Sequence, residues 1–118
     1  MNNFDIIIVG AGSAGSILAS QLSEKENLKI LILEAGPKDT NPLIKIPLGY
    51  GMTFYNKKIN WNFYSKPQKY LNNRDIYVPR GKVVGGSGSI NAMVYTRGLK
   101  TDFNKWSNSK NTEWSIDN

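Results

Sequence analysis

The sequence contains neither cysteine nor histidine. Without cysteine there is no disulfide and no thiolate metal site, though this says little about compartment. Without histidine, neither a Ser-His-Asp triad nor a histidine-based zinc site can be assembled. Any step that calls for an imidazole base must then draw it from elsewhere. Long apolar runs are also missing, and none approaches the ~20 residues that span a bilayer. Met1-Asn2-Asn3 leads straight into the first apolar run, without the basic region of a secretory signal. Acidic residues are few, 9 against 15 basic ones, for a net charge of +6. Such an excess can serve nucleic acid or an anionic surface. Here the lysines are scattered, Lys57-Lys58 is the only adjacent basic pair, and no basic face repeats at helical spacing. No nucleic-acid partner is expected. The 118 residues, 40% hydrophobic and 20% charged, suit one small globular domain.

What is present begins with Phe4-Asp5-Ile6-Ile7-Ile8-Val9, followed by Gly10, Gly12 and Gly15 in G-x-G-x-x-G spacing. Each glycine has a physical reason: Gly10 for a tight turn out of a strand, Gly12 for close approach of a pyrophosphate to the backbone, Gly15 for close packing of the next helix. The helix start would present free N–H groups and its positive dipole end to phosphates. Ala14, Leu18 and Leu22, widened by Ile17 and Ala19, give the helical stripe, and the polar stretch 23–27 ends it. A second apolar run, Ile30-Leu31-Ile32-Leu33, closes at Glu34, 19 residues after Gly15. Uninterrupted runs suit parallel strands covered on both faces. An acid at that distance suits a ribose hydroxyl, and the alternative is an idle strand-end carboxylate.

After Glu34 no second mononucleotide unit follows. Ala35-Gly36-Pro37 breaks the strand, and Pro37, Pro42 and Pro47 mark 37–47 as irregular extended chain. Residues 48–55 suit a short helix. Asn60-Trp61-Asn62-Phe63 reads as a short strand or an aromatic-rich loop, and Arg74–Val78 as a strand ended by Pro79. Most rings here are expected to serve packing. Then comes Arg80-Gly81-Lys82-Val83-Val84-Gly85-Gly86-Ser87-Gly88-Ser89-Ile90-Asn91, with an apolar helix-capable stretch over 90–94 and Ser87 or Ser89 as its cap. It is not a Walker A loop, because Ser87 stands where lysine is required. A glycine-rich turn feeding a helix is still an anion site by geometry. A dinucleotide with a large second ring system would use both turns.

The segment from Arg80 to Gly98 resembles the flavin signature of the glucose–methanol–choline (GMC) oxidoreductases. Gly10-Ala11-Gly12-Ser13-Ala14-Gly15 and Glu34-Ala35-Gly36-Pro37 resemble that family's dinucleotide motif and ribose-binding acid, and Asn60-Trp61 and Leu71-Asn72-Asn73-Arg74 also fit. The likeness covers essentially the whole chain and is strongest toward choline dehydrogenases and flavin-dependent dehydrogenases of aliphatic alcohols. It implies an α/β, Rossmann-like FAD/NAD(P)-binding fold, present in part. Residues 1–36 would form the βαβ dinucleotide motif, 37–79 an aromatic-rich excursion and 80–98 the second flavin-binding segment. The substrate domain and the C-terminal catalytic residues would lie outside this chain. No catalytic residue and no metal ligand is expected within it.

By the same resemblance, Gly10, Gly12, Ser13, Ala14 and Gly15 would bind the FAD pyrophosphate, and Glu34 with Ala35 the adenosine ribose. Val83, Val84, Gly85, Gly86 and Ser87, then Asn91, Ala92, Met93 and Val94, would run along the ribityl chain and isoalloxazine. Trp61 would cover part of the cofactor. Some relatives carry a histidine before this asparagine and attach it to the flavin; Ile90 stands there instead, implying non-covalent FAD. Gly88 stands where serine is common, and no functional change is attached to it. The implied activity is hydride transfer from the CH–OH group of choline or an aliphatic alcohol to flavin N5, in a cytoplasmic enzyme or one peripheral to the inner membrane. The electron acceptor, oxygen or a quinone, stays open. The alternatives are a short flavin-binding protein without catalysis, an NAD-dependent Rossmann enzyme, which lacks the repeat units expected after Glu34, and an interaction module, which would not need two phosphate-type turns.

Overall fold

The computed structural model describes residues 3–25 and 27–107. Strand β1 (Ile6–Val9) leads through Gly10 into helix α1 (Ser13–Ser23) and back to β2 (Ile30–Leu33). The two strands are parallel, with Ile6 opposite Ile30 and Val9 opposite Leu33. This is the expected βαβ unit. Gly10 has φ +98°, a conformation that makes the sharp turn cheap only for glycine.

The helix packs on one edge of the expected stripe, that of Ala19 and Leu22, extended to Gly15. Ala19 is buried and Gly15 and Leu22 half-buried, whereas Ala14, Ile17 and Leu18 are exposed. The seam therefore runs through Gly15, Ala19 and Leu22. A Cβ on Gly15 would collide with the Gly10 carbonyl, so small residues set the close helix–strand approach, while Ile17 and Leu18 point away. The sheet is also open. Ile7 and Val9 of β1 and Ile32 and Leu33 of β2 are exposed, Val9 at 83%. The radius of gyration, 18.5 Å, is well above the about 13 Å of a closed 100-residue domain. Two strands and one helix leave a parallel sheet face bare that normally lies under a layer.

The region 37–47 is more ordered than its prolines suggest. Pro42 opens a one-turn helix, α2 (Pro42–Lys45), as the first helical residue, where its missing N–H costs nothing. The side chain of Asn41 caps it by accepting from the Leu43 N–H at 2.9 Å. A 3₁₀ turn over Pro47–Gly49 then runs into α3 (Tyr50–Thr53), within the span expected to be helical.

Further on, β3 (Phe63–Tyr64) pairs antiparallel with β4 (Tyr77–Val78). Strand β4 is shorter than expected, and of residues 60–63 only Phe63 lies in a strand, the rest forming the aromatic-rich loop. Asn62 has φ +52°, and Asn72 and Asn73 also sit in the left-handed region, so the alternating pattern is cut by turns. The helix expected over 90–94 is absent. The only ordered turn there is a 3₁₀ turn over Gly86–Ser89, before α4 (Lys100–Trp106). The Asn91 side chain accepts from the Met93 N–H at 2.7 Å and donates to the Gly88 carbonyl at 3.0 Å, and Met93 takes φ +56°. A side chain that bonds its own backbone displaces the helical ladder. Ser87 and Ser89 accordingly cap no helix. Ser87 Oγ accepts from the Gly81 N–H and Ser89 Oγ donates to the Val84 carbonyl, bracing the loop from within.

Candidate cofactor site

The C-terminal ends of β1 and β2 lie side by side, and the Gly10 N–H donates to the Leu33 carbonyl at 2.7 Å. Glu34 closes the same corner. One carboxylate oxygen accepts from the Ala11 N–H at 2.8 Å and the other from the Gly36 N–H at 2.9 Å. It is therefore not an idle strand-end carboxylate. It brackets the first glycine turn against the turn that leaves β2, and each oxygen keeps a lone pair for a further donor.

The second glycine turn docks directly on the first. The Gly85 N–H donates to the Ala11 carbonyl at 2.7 Å, Gly12 and Gly85 form a parallel bridge, and the Val84 N–H donates to the Pro37 carbonyl at 3.0 Å. Around this junction lies a cleft of about 310 Å³, lined by Val9, Gly10, Gly12, Leu33, Glu34, Ala35, Trp61, Gly81 and Gly86. Six of the residues expected at the cofactor are thus brought together, two glycines from the first turn, Glu34 and Ala35 from the end of β2, Trp61 from the loop before β3 and Gly86 from the second turn. Val9, Leu33 and Gly81 were not anticipated; a strand end next to an expected phosphate turn is the signal that finds the first two.

The other expected residues sit elsewhere. Ser13, Ala14 and Gly15 form the first turn of α1, whose first ladder bond runs from the Ser16 N–H to the Gly12 carbonyl. Their own N–H groups have no intrahelical acceptor, as at every helix start. Val83 is fully buried with Ile59 and Ile90, so its side chain belongs to the core rather than to a ligand cleft. Ser87, Asn91 and Ala92 line a second cleft of about 240 Å³ with Phe54, Pro79, Arg80 and Ile90. Met93 and Asn91 line a third of about 190 Å³ against α2 and α3. Val94 is exposed and lines none of the three.

The aromatic residues mostly stack on one another, as expected. Tyr55 lies parallel to Tyr77 at 5.6 Å, and Tyr64 is tilted over the same ring at 5.1 Å. Desolvation, reinforced by these two neighbouring phenols, holds the Tyr77 phenol above its ordinary value of 10.0. Trp61 stacks on Phe63 at 5.8 Å, carries the Lys82 ammonium 4.9 Å from its ring centre, and still lines the cleft.

A family model described as GMC oxidoreductase matches residues 4–118. The chain belongs to the GMC oxidoreductase family. Within it, the chain is 51% identical over 111 residues to an alcohol dehydrogenase [acceptor] of Pseudomonas putida, and 47% identical over 111 residues to an oxygen-dependent choline dehydrogenase of Rhizobium etli. Each alignment covers 94% of this chain and 20% of the relative. Among solved GMC-like structures, pyridoxine 4-oxidase from Mesorbium loti superposes with a TM-score of 0.85 at 37% identity, covering 98% of this chain and 23% of that one. Formate oxidase of Aspergillus oryzae RIB40, studied for its FAD modification, superposes with a TM-score of 0.81 at 34% identity, over 97% of this chain and 20% of that one. The GMC chain thus spans about a fifth of the length of these relatives. Its fold is a partial, Rossmann-like α/β unit. Among the described residues, no helix is long and apolar enough to cross a membrane, and no group of His, Cys, Asp or Glu is placed to hold a metal ion.

Proposed function

We propose that this chain builds the dinucleotide end of the FAD site in a flavin-dependent oxidoreductase that acts on the CH–OH group of a small alcohol, choline or an aliphatic alcohol. The observation that carries this reading is the docking of two glycine turns on each other around one cleft. A single-nucleotide site would need only the first turn. The residues fit the group. Gly12 faces the cleft without a Cβ, and α1 presents unbonded N–H groups beside it for a pyrophosphate. Glu34 has spare lone pairs for ribose hydroxyls while its bonds to Ala11 and Gly36 hold it in place. Trp61, already stacked on Phe63, is a rigid wall at the rim of the same cleft.

Bound FAD would supply a two-electron acceptor for the hydride of the alcohol carbon. This chain would bind and orient it. The second cleft, which includes Ser87 of the second glycine turn with Asn91 and Ala92, would hold the flavin side of the cofactor. No side chain of the 118 residues is a histidine, so proton removal from the alcohol would fall to residues outside this chain. The named relatives, an alcohol dehydrogenase and choline dehydrogenases, support a small alcohol as the substrate class. The test is direct. The enzyme that carries this chain should purify yellow, release FAD on denaturation, and reduce a dye with choline or a short aliphatic alcohol. A colourless protein that binds NAD instead would overturn the proposal.

A further inference from the structure

Asn60 lines none of the three clefts, yet it is only 2% exposed and every polar atom of its amide is engaged. Its Nδ2 donates to the Phe54 carbonyl at 2.7 Å. Its Oδ1 accepts two backbone N–H groups, from Asn62 at 2.9 Å and from Arg80 at 3.0 Å. One side chain thereby ties the loop from the end of α3 through the Trp61-Asn62 turn to the start of the second glycine segment, 20 residues on. The backbone reinforces the tie. Asn60 forms an antiparallel bridge with Gly81, the Trp61 N–H donates to the Arg80 carbonyl at 2.9 Å, and the Lys82 N–H donates to the Ile59 carbonyl at 2.8 Å. Tyr77 adds its hydroxyl, which bonds the same Phe54 carbonyl and lies 2.6 Å from Asn62 Oδ1.

The tied segments supply the walls of two different clefts. Trp61 and Gly81 face the cleft at Gly12 and Glu34, while Phe54 and Arg80 face the cleft at Ser87, Asn91 and Ala92. A buried amide with all its partners in place is costly to disturb and holds one geometry rigidly. Only asparagine has the length and the donor–acceptor pair to serve a carbonyl on one side and two N–H groups on the other. We infer that Asn60 is a positioning residue for the cofactor: it fixes the dinucleotide cleft relative to the flavin-side cleft, and so sets the span across which FAD must stretch. This rests on the FAD reading above.

The test uses the full flavoenzyme, with three readouts: FAD affinity of the apoprotein, visible circular dichroism of the bound flavin, and melting temperature of the apoprotein. Asn60→Ala removes all three side-chain bonds. Asn60→Ser keeps a small polar side chain but is too short to reach all three partners. Asp5→Ala, which removes the bond Asp5 accepts from the Lys29 N–H at the opposite end of β1 and β2 from Glu34, is the control for general destabilisation. The expected result is FAD binding weakened about tenfold or more in Asn60→Ala, with altered flavin dichroism. Asn60→Ser should fall between it and wild type, and Asp5→Ala should keep wild-type affinity and dichroism even where it melts lower. If Asn60→Ala does not fold, Asn60→Ser carries the same comparison. Variants that melt lower but keep wild-type affinity and dichroism would reduce Asn60 to a structural residue and overturn this inference alone. Wild-type protein that takes up no FAD would overturn the functional reading instead.

Discussion

A Cβ placed on Gly86 would lie 2.9 Å from the Cα of Gly12, which is too close for any real side chain. The converse is not true. A Cβ on Gly12 would meet the Gly86 Cα at 3.8 Å, an ordinary contact, and Gly12 has φ −78°, which any residue adopts. Two glycines that face each other thus serve different needs. Gly86 is required by the fold, and Gly12 is free to be required by a ligand.

That asymmetry separates two substitutions. Gly86→Ala should destabilise the protein by about 1–3 kcal/mol through overpacking, with a further cost from its φ of +60°. Gly12→Ala should leave apoprotein stability within about 0.5 kcal/mol of wild type and still lower FAD occupancy. Denaturant melts and flavin content of the enzyme carrying each change would check this. Full FAD content in Gly12→Ala would remove the pyrophosphate from that turn.

Glu34 should show two effects. Glu34→Gln turns one acceptor into a donor facing a backbone N–H, either of Ala11 or of Gly36. Leaving such a group unpaired costs about 1–3 kcal/mol, and the loss should appear in the apoprotein before any cofactor is added. Glu34→Ala should also weaken FAD by about ten- to a hundredfold through lost ribose bonds. An apoprotein of wild-type stability in both variants would mean the bracket contributes nothing.

Ile90 is buried in the core beside Ile59 and Val83 and has no nucleophilic atom. The flavin should therefore be held without a covalent bond. Acid precipitation of the holoenzyme should leave the colour in the supernatant, and colour retained in the pellet would contradict this.

Asp39 and Lys45 form an ion pair at 2.7 Å that spans α2. The hydrogen bond from Lys45, then its charge, holds the Asp39 carboxyl below its ordinary 3.8. A folded value lower than the unfolded one stabilises the fold above the ordinary carboxylate range, and that contribution is lost as pH falls through the lower value. Both side chains are partly exposed, so salt should weaken the pair. Lys45→Met should return the Asp39 titration, followed by NMR, toward 3.8, and high salt should do part of the same. A titration unmoved by Lys45→Met would assign the shift to something else.

The βαβ unit was legible because its signals are local. Strand β1, the Gly10 turn, helix α1 and the acid at the end of β2 are each written within a few residues, by apolar runs, glycine spacing and helical periodicity. Local pattern misled where a side chain competed with the backbone. Asn91 bonds Met93 and Gly88 in place of a helix, and Asn41 with Pro42 starts a helix where prolines suggested irregular chain. The face of α1 was legible at Ala19 and Leu22 but not at Gly15, because bulky residues define a stripe in sequence, whereas small ones permit the close approach in space.

By itself, the sequence determined the order of elements and the residue types at the turns, since glycine, proline and apolar periodicity act over a few bonds. Tertiary structure alone decided which distant groups meet. It set Gly86 against Gly12, gave the Ala11 N–H to Glu34, and brought the Arg80 N–H to the buried Asn60. Those partners are chosen by packing and by the need of every buried polar group for a hydrogen bond, which is settled only when segments far apart in the chain come together.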